Sequence, residues 1–318
     1  MKDSFGRKID YLRISVTDLC NLRCKYCMPE NGVCKKPHED ILSFEEITDI
    51  VRAACELGVK KVRLTGGEPL VRRGIVSLVG MIKDVSPDID LNMTTNAVLL
   101  DRYAYDLKNA GLNRVNISLD TLNAEKYKQI TRGGNIEDAF RGIEAAKKAG
   151  LNPIKINAVL INGFNDDEIN DFIGLTIDED VEVRFIELMP FGANAQEYSD
   201  DRFLSNKTVL ERAPKLERIG EDESSVCMSY RLSGAKGKVG LISPHSNKFC
   251  DRCNRIRITS DAKIKPCLHS NDEIDIREQR QNGISYQEIF RMAILGKPDM
   301  HKFEDNVYTS RAMNRIGG

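Results

Sequence analysis

The 318-residue chain has no apolar run approaching the roughly 20 residues that span a bilayer, and its start, "MKDSFGRKID", lacks the apolar stretch of a signal peptide. These absences exclude a membrane-spanning helix and lead us to expect a cytoplasmic protein. Net charge is also nearly absent. With 47 Lys and Arg against 48 Asp and Glu, the formal charge is -1, which excludes any global attraction to nucleic acid or anionic membrane and makes an anion site a local matter. Neither a low-complexity tract nor a long linker occurs.

Cysteine, by contrast, is plentiful. Nine thiols in a reducing compartment do not form lasting disulfides, and an odd number cannot pair completely, so metal or redox chemistry is the leading expectation. Six fall into two groups, Cys20, Cys24, Cys27 and Cys250, Cys253, Cys267. Cys34, Cys55 and Cys227 stand apart and read as small hydrophobes.

A weak repeat organises the first half. "ELGVKKVRL", "NAGLNRVNI" and "KAGLNPIKI" each join a helix end to a short strand through Gly58, Gly111 or Gly150, which suits a left-handed helix cap. Ser43 and Glu46 form a predicted capping box at the head of one helix. With strands predicted at "YLRISV", "DLNMTT" and "VEVRFIEL", the pattern implies βα units and a parallel sheet. The expected fold is α/β, a partial (β/α)6 TIM-type barrel with chemistry at the C-terminal ends of its strands. A doubly wound sheet is the alternative, but no glycine-rich phosphate fingerprint follows the first strand. Past about Gly192 the pattern loosens, so we expect a barrel domain over residues 1–205 and a smaller α+β C-terminal domain over 206–318, covering the barrel mouth.

Cys20-x3-Cys24-x2-Cys27 can bring three thiolates to one metal centre, one ligand short for a four-iron cluster, and the vacant iron can bind a further molecule. A zinc site would want a fourth protein ligand, and His38 lies in a separate turn. The second group leaves two readings open: a Cys3His zinc ribbon completed by His269, or another cluster with a vacant iron. Between its cysteines, Arg255 and Arg257 alternate on one strand face, as suits phosphate oxygens. Arg13, Arg63, Lys155 and Arg184 are likewise cations within apolar strands, costly to bury unless they share an anionic ligand.

The first cysteine spacing, with Tyr26 before its last thiol, resembles the signature of the radical S-adenosylmethionine superfamily, and "TGGEP" at 65–69 is similar to that superfamily's glycine-rich segment. Over essentially the whole chain, "SVTDLCNLRCKYCMP", "LTGGEPL", "NISLDTL", "VRFIELMP", "CNRIRI" and the terminal "RIGG" resemble the GTP 3′,8-cyclases that open molybdenum cofactor biosynthesis. This resemblance implies a lyase with two 4Fe-4S clusters, on Cys20, Cys24, Cys27 and on Cys250, Cys253, Cys267, and S-adenosylmethionine at Tyr26, Gly67, Ser118 and Met189. It implies GTP at Arg13, Arg63, Thr94, Lys155, Arg255 and Arg257, with Arg184 near the nucleotide and Gly317 and Gly318 reaching back into the active site. Implied partners are an external electron donor, a downstream cyclic pyranopterin monophosphate synthase and a second copy in a homodimer, with no nucleic acid and no membrane. Ala97 in "TTNA", the short stretch after "CMPE", and His269 beside Cys267 depart from the family pattern. The rival enzyme is a radical S-adenosylmethionine peptide-modifying enzyme with an auxiliary cluster; the rival outside enzymes is a zinc-ribbon binding protein.

Overall fold

A computed structural model describes residues 1–33, 35–192, 200–220, 226–302 and 309–317; Cys34 and Gly318 lie outside these. The repeat takes the expected form. Strand β1 (Tyr11–Ser15) is followed by α1 (Phe44–Glu56), β2 (Lys61–Thr65), α2 (Ile75–Val85) and β3 (Asp90–Thr95). Then come α3 (Leu100–Asn109), β4 (Arg114–Ser118), α4 (Ala124–Thr131), α5 (Ile136–Lys148), β5 (Ile154–Leu160), α6 (Ile169–Asp178) and β6 (Val181–Glu187). Ser43 and Glu46 cap α1 reciprocally, at 2.7 and 3.0 Å. Gly58, Gly111 and Gly150 have φ of +92°, +104° and +73°, the left-handed geometry that turns each helix end into the next strand.

Strands β1 to β6 pair in sequence order and all in parallel. Their outward side chains, among them Leu12, Ile14, Val62, Leu64, Leu91, Met93, Val115 and Ile117, are buried under the helices. Their inward positions carry the polar residues. This division sets the site: apolar burial holds the barrel together, and alternate residues equip its interior.

The rest of the chain adds α7 (Lys207–Arg212), β7 (Leu216–Arg218), β8 (Met228–Leu232), β9 (Lys238–Ile242), β10 (Arg255–Ile258), β11 (Lys263–Lys265), β12 (Ile274–Asp275), α8 (Ile276–Gln281) and α9 (Tyr286–Leu295). Its strands continue the barrel sheet from both edges. β9 pairs in parallel with β6, and β10 in parallel with β1, giving one 12-stranded sheet. Open edges carry unpaired N–H and C=O groups, and these additions satisfy them. The last described residues return to the C-terminal ends of β1 and β2. No helix among the described residues is long and apolar enough to cross a membrane.

Candidate active site

The parallel pairing of β1 with β10 puts the two cysteine groups at opposite ends of the barrel. Tyr11 aligns with Arg255, so Cys253 precedes the start of these strands, while Cys20 follows the far end of β1. The intervening strand covers about 13 Å at roughly 3.3 Å per residue.

At the C-terminal end, the loop after β1 turns tightly, with the Cys27 and Met28 amides donating to the Cys24 carbonyl at 2.9 and 3.2 Å. Burial pushes the Cys20 thiol up to about 11 and Cys27 up to about 12. Burial, Cys27, Asp120 and Cys20 raise Cys24 well above the ordinary thiol range. Three free thiols that oppose one another's ionisation form a donor set whose thiolates bound iron would stabilise.

At the other end, Cys250 and Cys253 flank a single turn, and the Cys253 amide donates to the Cys250 carbonyl at 3.2 Å. Burial opposes ionisation of Cys253, but Lys297 and Arg255 pull its thiol down to about 7. Burial raises Cys250, and nearby Cys253 and Cys267 add to the effect. Among the described residues, no three Cys, His, Asp or Glu side chains close around one metal ion. A four-iron cube asks for a wider spread, because its three thiolates bind different irons. His269 turns elsewhere: its Nε2 lies 3.3 Å from Met189 Sδ, and its ring stacks on Phe191 at 4.9 Å.

Between the two ends lie the cations. The Tyr11 ring has Lys61 at 5.1 Å, Arg13 at 5.3 Å and Arg63 at 5.4 Å. The Tyr11 hydroxyl, Arg13 Nε and Arg255 Nη2 are buried without hydrogen-bond partners. Burial, then the charge of Arg13, lowers both Arg255 and Arg257. Burial also brings Arg63 down to about 9, and burial and Arg184 bring Lys155 down to about 8. One carboxylate offsets part of this charge: Glu182 accepts from Lys155 Nζ at 2.6 Å and from Arg184 Nε at 2.5 Å. Buried guanidinium groups with unspent donors constitute an anion site. Thr94 aligns with Asn116, whose amide atoms are also buried without partners.

The residues expected to meet S-adenosylmethionine gather at the C-terminal ends of the strands. Gly67 lies flush on the cysteine loop: a methyl there would come within 2.6 Å of the Leu19 carbonyl carbon and 2.8 Å of the Asp18 oxygen. Tyr26 donates to Asp120 at 2.6 Å, Ser118 ends β4, and Met189 follows β6. Gly317 joins this end, its carbonyl accepting from Arg257 Nη1 at 2.6 Å, and Asn314 Nδ2 donates to the Asp18 carbonyl at 3.0 Å.

Tyr11, Lys61, Asn116 and Glu182 were missed as site residues, although each alternates with an expected one on its strand or aligns with one. Glu68, the acid of "TGGEP", was also passed over. It accepts from Leu70 and Asn96 amides at 3.1 and 2.7 Å and from the Thr95 hydroxyl at 2.8 Å, and burial pushes it up to about 7.

A partial barrel with a three-cysteine loop after its first strand and a glycine pair seated on that loop defines a radical S-adenosylmethionine enzyme. Residues 14–176 match the Radical SAM superfamily and residues 181–303 match Molybdenum Cofactor Synthesis C. The chain is 52% identical over 321 residues to the GTP 3′,8-cyclase of Alkaliphilus oremlandii, covering 100% of both. It is 52% identical to that of Peptoclostridium acidaminophilum, covering 99% of this chain and 98% of the relative. The chain belongs to the GTP 3′,8-cyclase family. In fold alone it is similar to Streptococcus suis SuiB bound to S-adenosylmethionine, with a TM-score of 0.58 and 17% identity over 89% of this chain and 68% of that one.

Proposed function

We propose that this protein is a radical S-adenosylmethionine lyase converting GTP to 3′,8-cyclo-7,8-dihydroguanosine 5′-triphosphate in molybdenum cofactor biosynthesis, acting in the cytoplasm. The observation that carries this reading is the pair of cysteine trios at opposite ends of one barrel, with buried, partnerless arginine nitrogens between them. Two 4Fe-4S clusters would be held by Cys20, Cys24, Cys27 and by Cys250, Cys253, Cys267. When bound and reduced by the external electron donor, the first cluster would supply, from S-adenosylmethionine, a 5′-deoxyadenosyl radical able to take the ribose C3′ hydrogen of GTP, while the second would face the guanine.

The chain's own residues bind, orient and shield. Arg13, Arg63, Lys155, Arg184, Arg255 and Arg257 hold the nucleotide, with Thr94 at its side, the charge array being suited to a triphosphate. Tyr26, Gly67, Ser118 and Met189 seat S-adenosylmethionine at the other end. Fixing one ligand with C3′ and C8 near each other replaces a search by a positioned cyclisation. Gly317 and Gly318 are assigned to the active site by the family resemblance, and closure of the mouth by the C-terminal domain would exclude water. We assign residues 1–205 to the barrel domain and 206–318 to the domain that completes the nucleotide site. Partners are an external electron donor, the downstream cyclic pyranopterin monophosphate synthase and a second copy in a homodimer.

The test is an anaerobic assay of 5′-deoxyadenosine with and without GTP, alongside iron, sulfide and zinc analysis. Cleavage dependent on GTP, with 3′,8-cyclised product, is expected. Cleavage indifferent to GTP and stimulated by a peptide would favour the peptide-modifying rival, and stoichiometric zinc without iron would eliminate both enzymes.

A further inference from the structure

Just past the C-cap of α9, Lys297 enters the interior, where it is only 4% exposed. An ammonium so deeply buried is normally paired with a carboxylate. Among the described residues Lys297 has none. Its Nζ instead donates to two backbone carbonyls, that of Arg255 at 2.9 Å and that of Pro266 at 2.7 Å. Arg255 stands two residues after Cys253, and Pro266 immediately precedes Cys267. One side chain therefore bridges the two segments that carry this cysteine group.

Two of the three ammonium donors are taken by carbonyls, leaving one N–H and a full positive charge beside the thiols. A four-iron cluster in its oxidised resting form on three thiolates carries net negative charge. Hence the uncompensated ammonium has the counter-charge it lacks in the protein alone. Net charge and hydrogen bonds near the sulfurs are established levers on cluster potential.

We propose that Lys297 is a positioning residue for the auxiliary cluster, tying its two cysteine segments together and supplying a buried positive charge that makes the cluster easier to reduce. The inference rests on reading Cys250, Cys253 and Cys267 as cluster ligands. It meets the nucleotide site only through the backbone carbonyl of Arg255, so the titration is read without GTP.

The experiment uses the anaerobically reconstituted full chain as wild type, Lys297→Met and Lys297→Arg, with iron and sulfide counted per chain and EPR-monitored redox titration. The signal that responds to S-adenosylmethionine belongs to the first cluster; the other is the auxiliary one. In Lys297→Met the auxiliary midpoint should shift to more negative potential, with the first cluster unmoved, whereas Lys297→Arg should stay with wild type. Selective loss of the auxiliary iron in Lys297→Met, with unchanged far-UV circular dichroism, would support the tie between segments. Full iron and a wild-type midpoint in Lys297→Met would overturn the proposal, as would the same negative shift in Lys297→Arg. If Lys297→Met does not fold, Lys297→Gln takes its place against Lys297→Arg, and equal midpoints in those two overturn the proposal. A wild type holding only one cluster would instead refute the underlying assignment of the second cysteine group.

Discussion

Arg257 Nη1 donates a hydrogen bond to the carbonyl oxygen of Gly317 at 2.6 Å, joining the inner face of β10 to the chain's C-terminal tail across 60 residues of sequence. The same arginine is a proposed nucleotide ligand, so one group would hold both the tail and the substrate. Asn314, anchored on the Asp18 carbonyl, fixes the tail's entry beside the cysteine loop.

Gly317 has φ +77°, and a methyl on it would run into Thr65 Oγ1 and approach Ser15 Cβ to 2.9 Å. Gly317→Ala therefore strains the backbone and pushes the tail from its seat. We expect kcat to fall at least about tenfold, equivalent to ~1.4 kcal/mol, with iron content unchanged. Steady-state product formation beside iron analysis measures this; wild-type kcat would show that the tail's seat has no part in turnover.

Arg255→Ala and Arg257→Ala each remove buried donors placed for an anion. A charge-assisted hydrogen bond is worth about 1.5–3 kcal/mol, so GTP affinity should drop roughly 10- to 150-fold in each variant. Calorimetry of GTP binding reads the loss, and S-adenosylmethionine binding serves as the control that should not move.

Burial disfavours ionised Tyr11, but Arg13, Arg63, Arg255 and Lys61 overcome that cost and bring the phenol down to about 7. An unfolded tyrosine titrates near 10, so between about pH 7 and 10 the unfolded chain binds the extra proton and this group's contribution to stability rises with pH. Below about pH 7 the contribution is absent. The chain has no tryptophan, which leaves the tyrosinate absorbance near 295 nm unobscured in cluster-free protein. One tyrosine titrating near neutrality and lost in Tyr11→Phe is expected; titration only near 10 would contradict the cation cage.

Glu182 is the counter-charge to Lys155 and Arg184. Burial raises it, but Arg184 and Lys155 hold it at about 2. Its stabilisation is present above about pH 4.5 and is lost as pH falls toward 2. Glu182→Gln leaves two buried cations uncompensated and should cost about 3 kcal/mol in GTP-free protein. Saturating GTP, which returns negative charge, should recover more Tm in this variant than in wild type. Equal recovery by differential scanning fluorimetry would mean that the nucleotide does not meet these cations.

Local features were legible in the sequence because their determinants lie within a few residues. The Ser43 cap, the glycine turns after α1, α3 and α5, and the cysteine loop are each closed by neighbours in the chain. Alternation along "YLRIS" and "KVRLT" likewise placed Arg13 and Arg63 on the inward face. The same alternation includes Tyr11 and Lys61, but an aromatic residue and a lysine at a strand's first position are ordinary enough to pass unnoticed. Glu182 alternates with Arg184 on β6, but its second cation, Lys155, lies 27 residues away and comes to it only across the sheet.

The sequence by itself determined the βα rhythm, the two thiol trios and the family to which the chain belongs, since spacing, caps and strand period are short-range properties. Tertiary structure alone decided that β10 lies beside β1, that Glu182 sits between two cations, and that Lys297 reaches the second trio. Those juxtapositions arise when sheet edges find partners and buried charges find counter-charges. Both depend on segments far apart in the chain, and no local pattern encodes them.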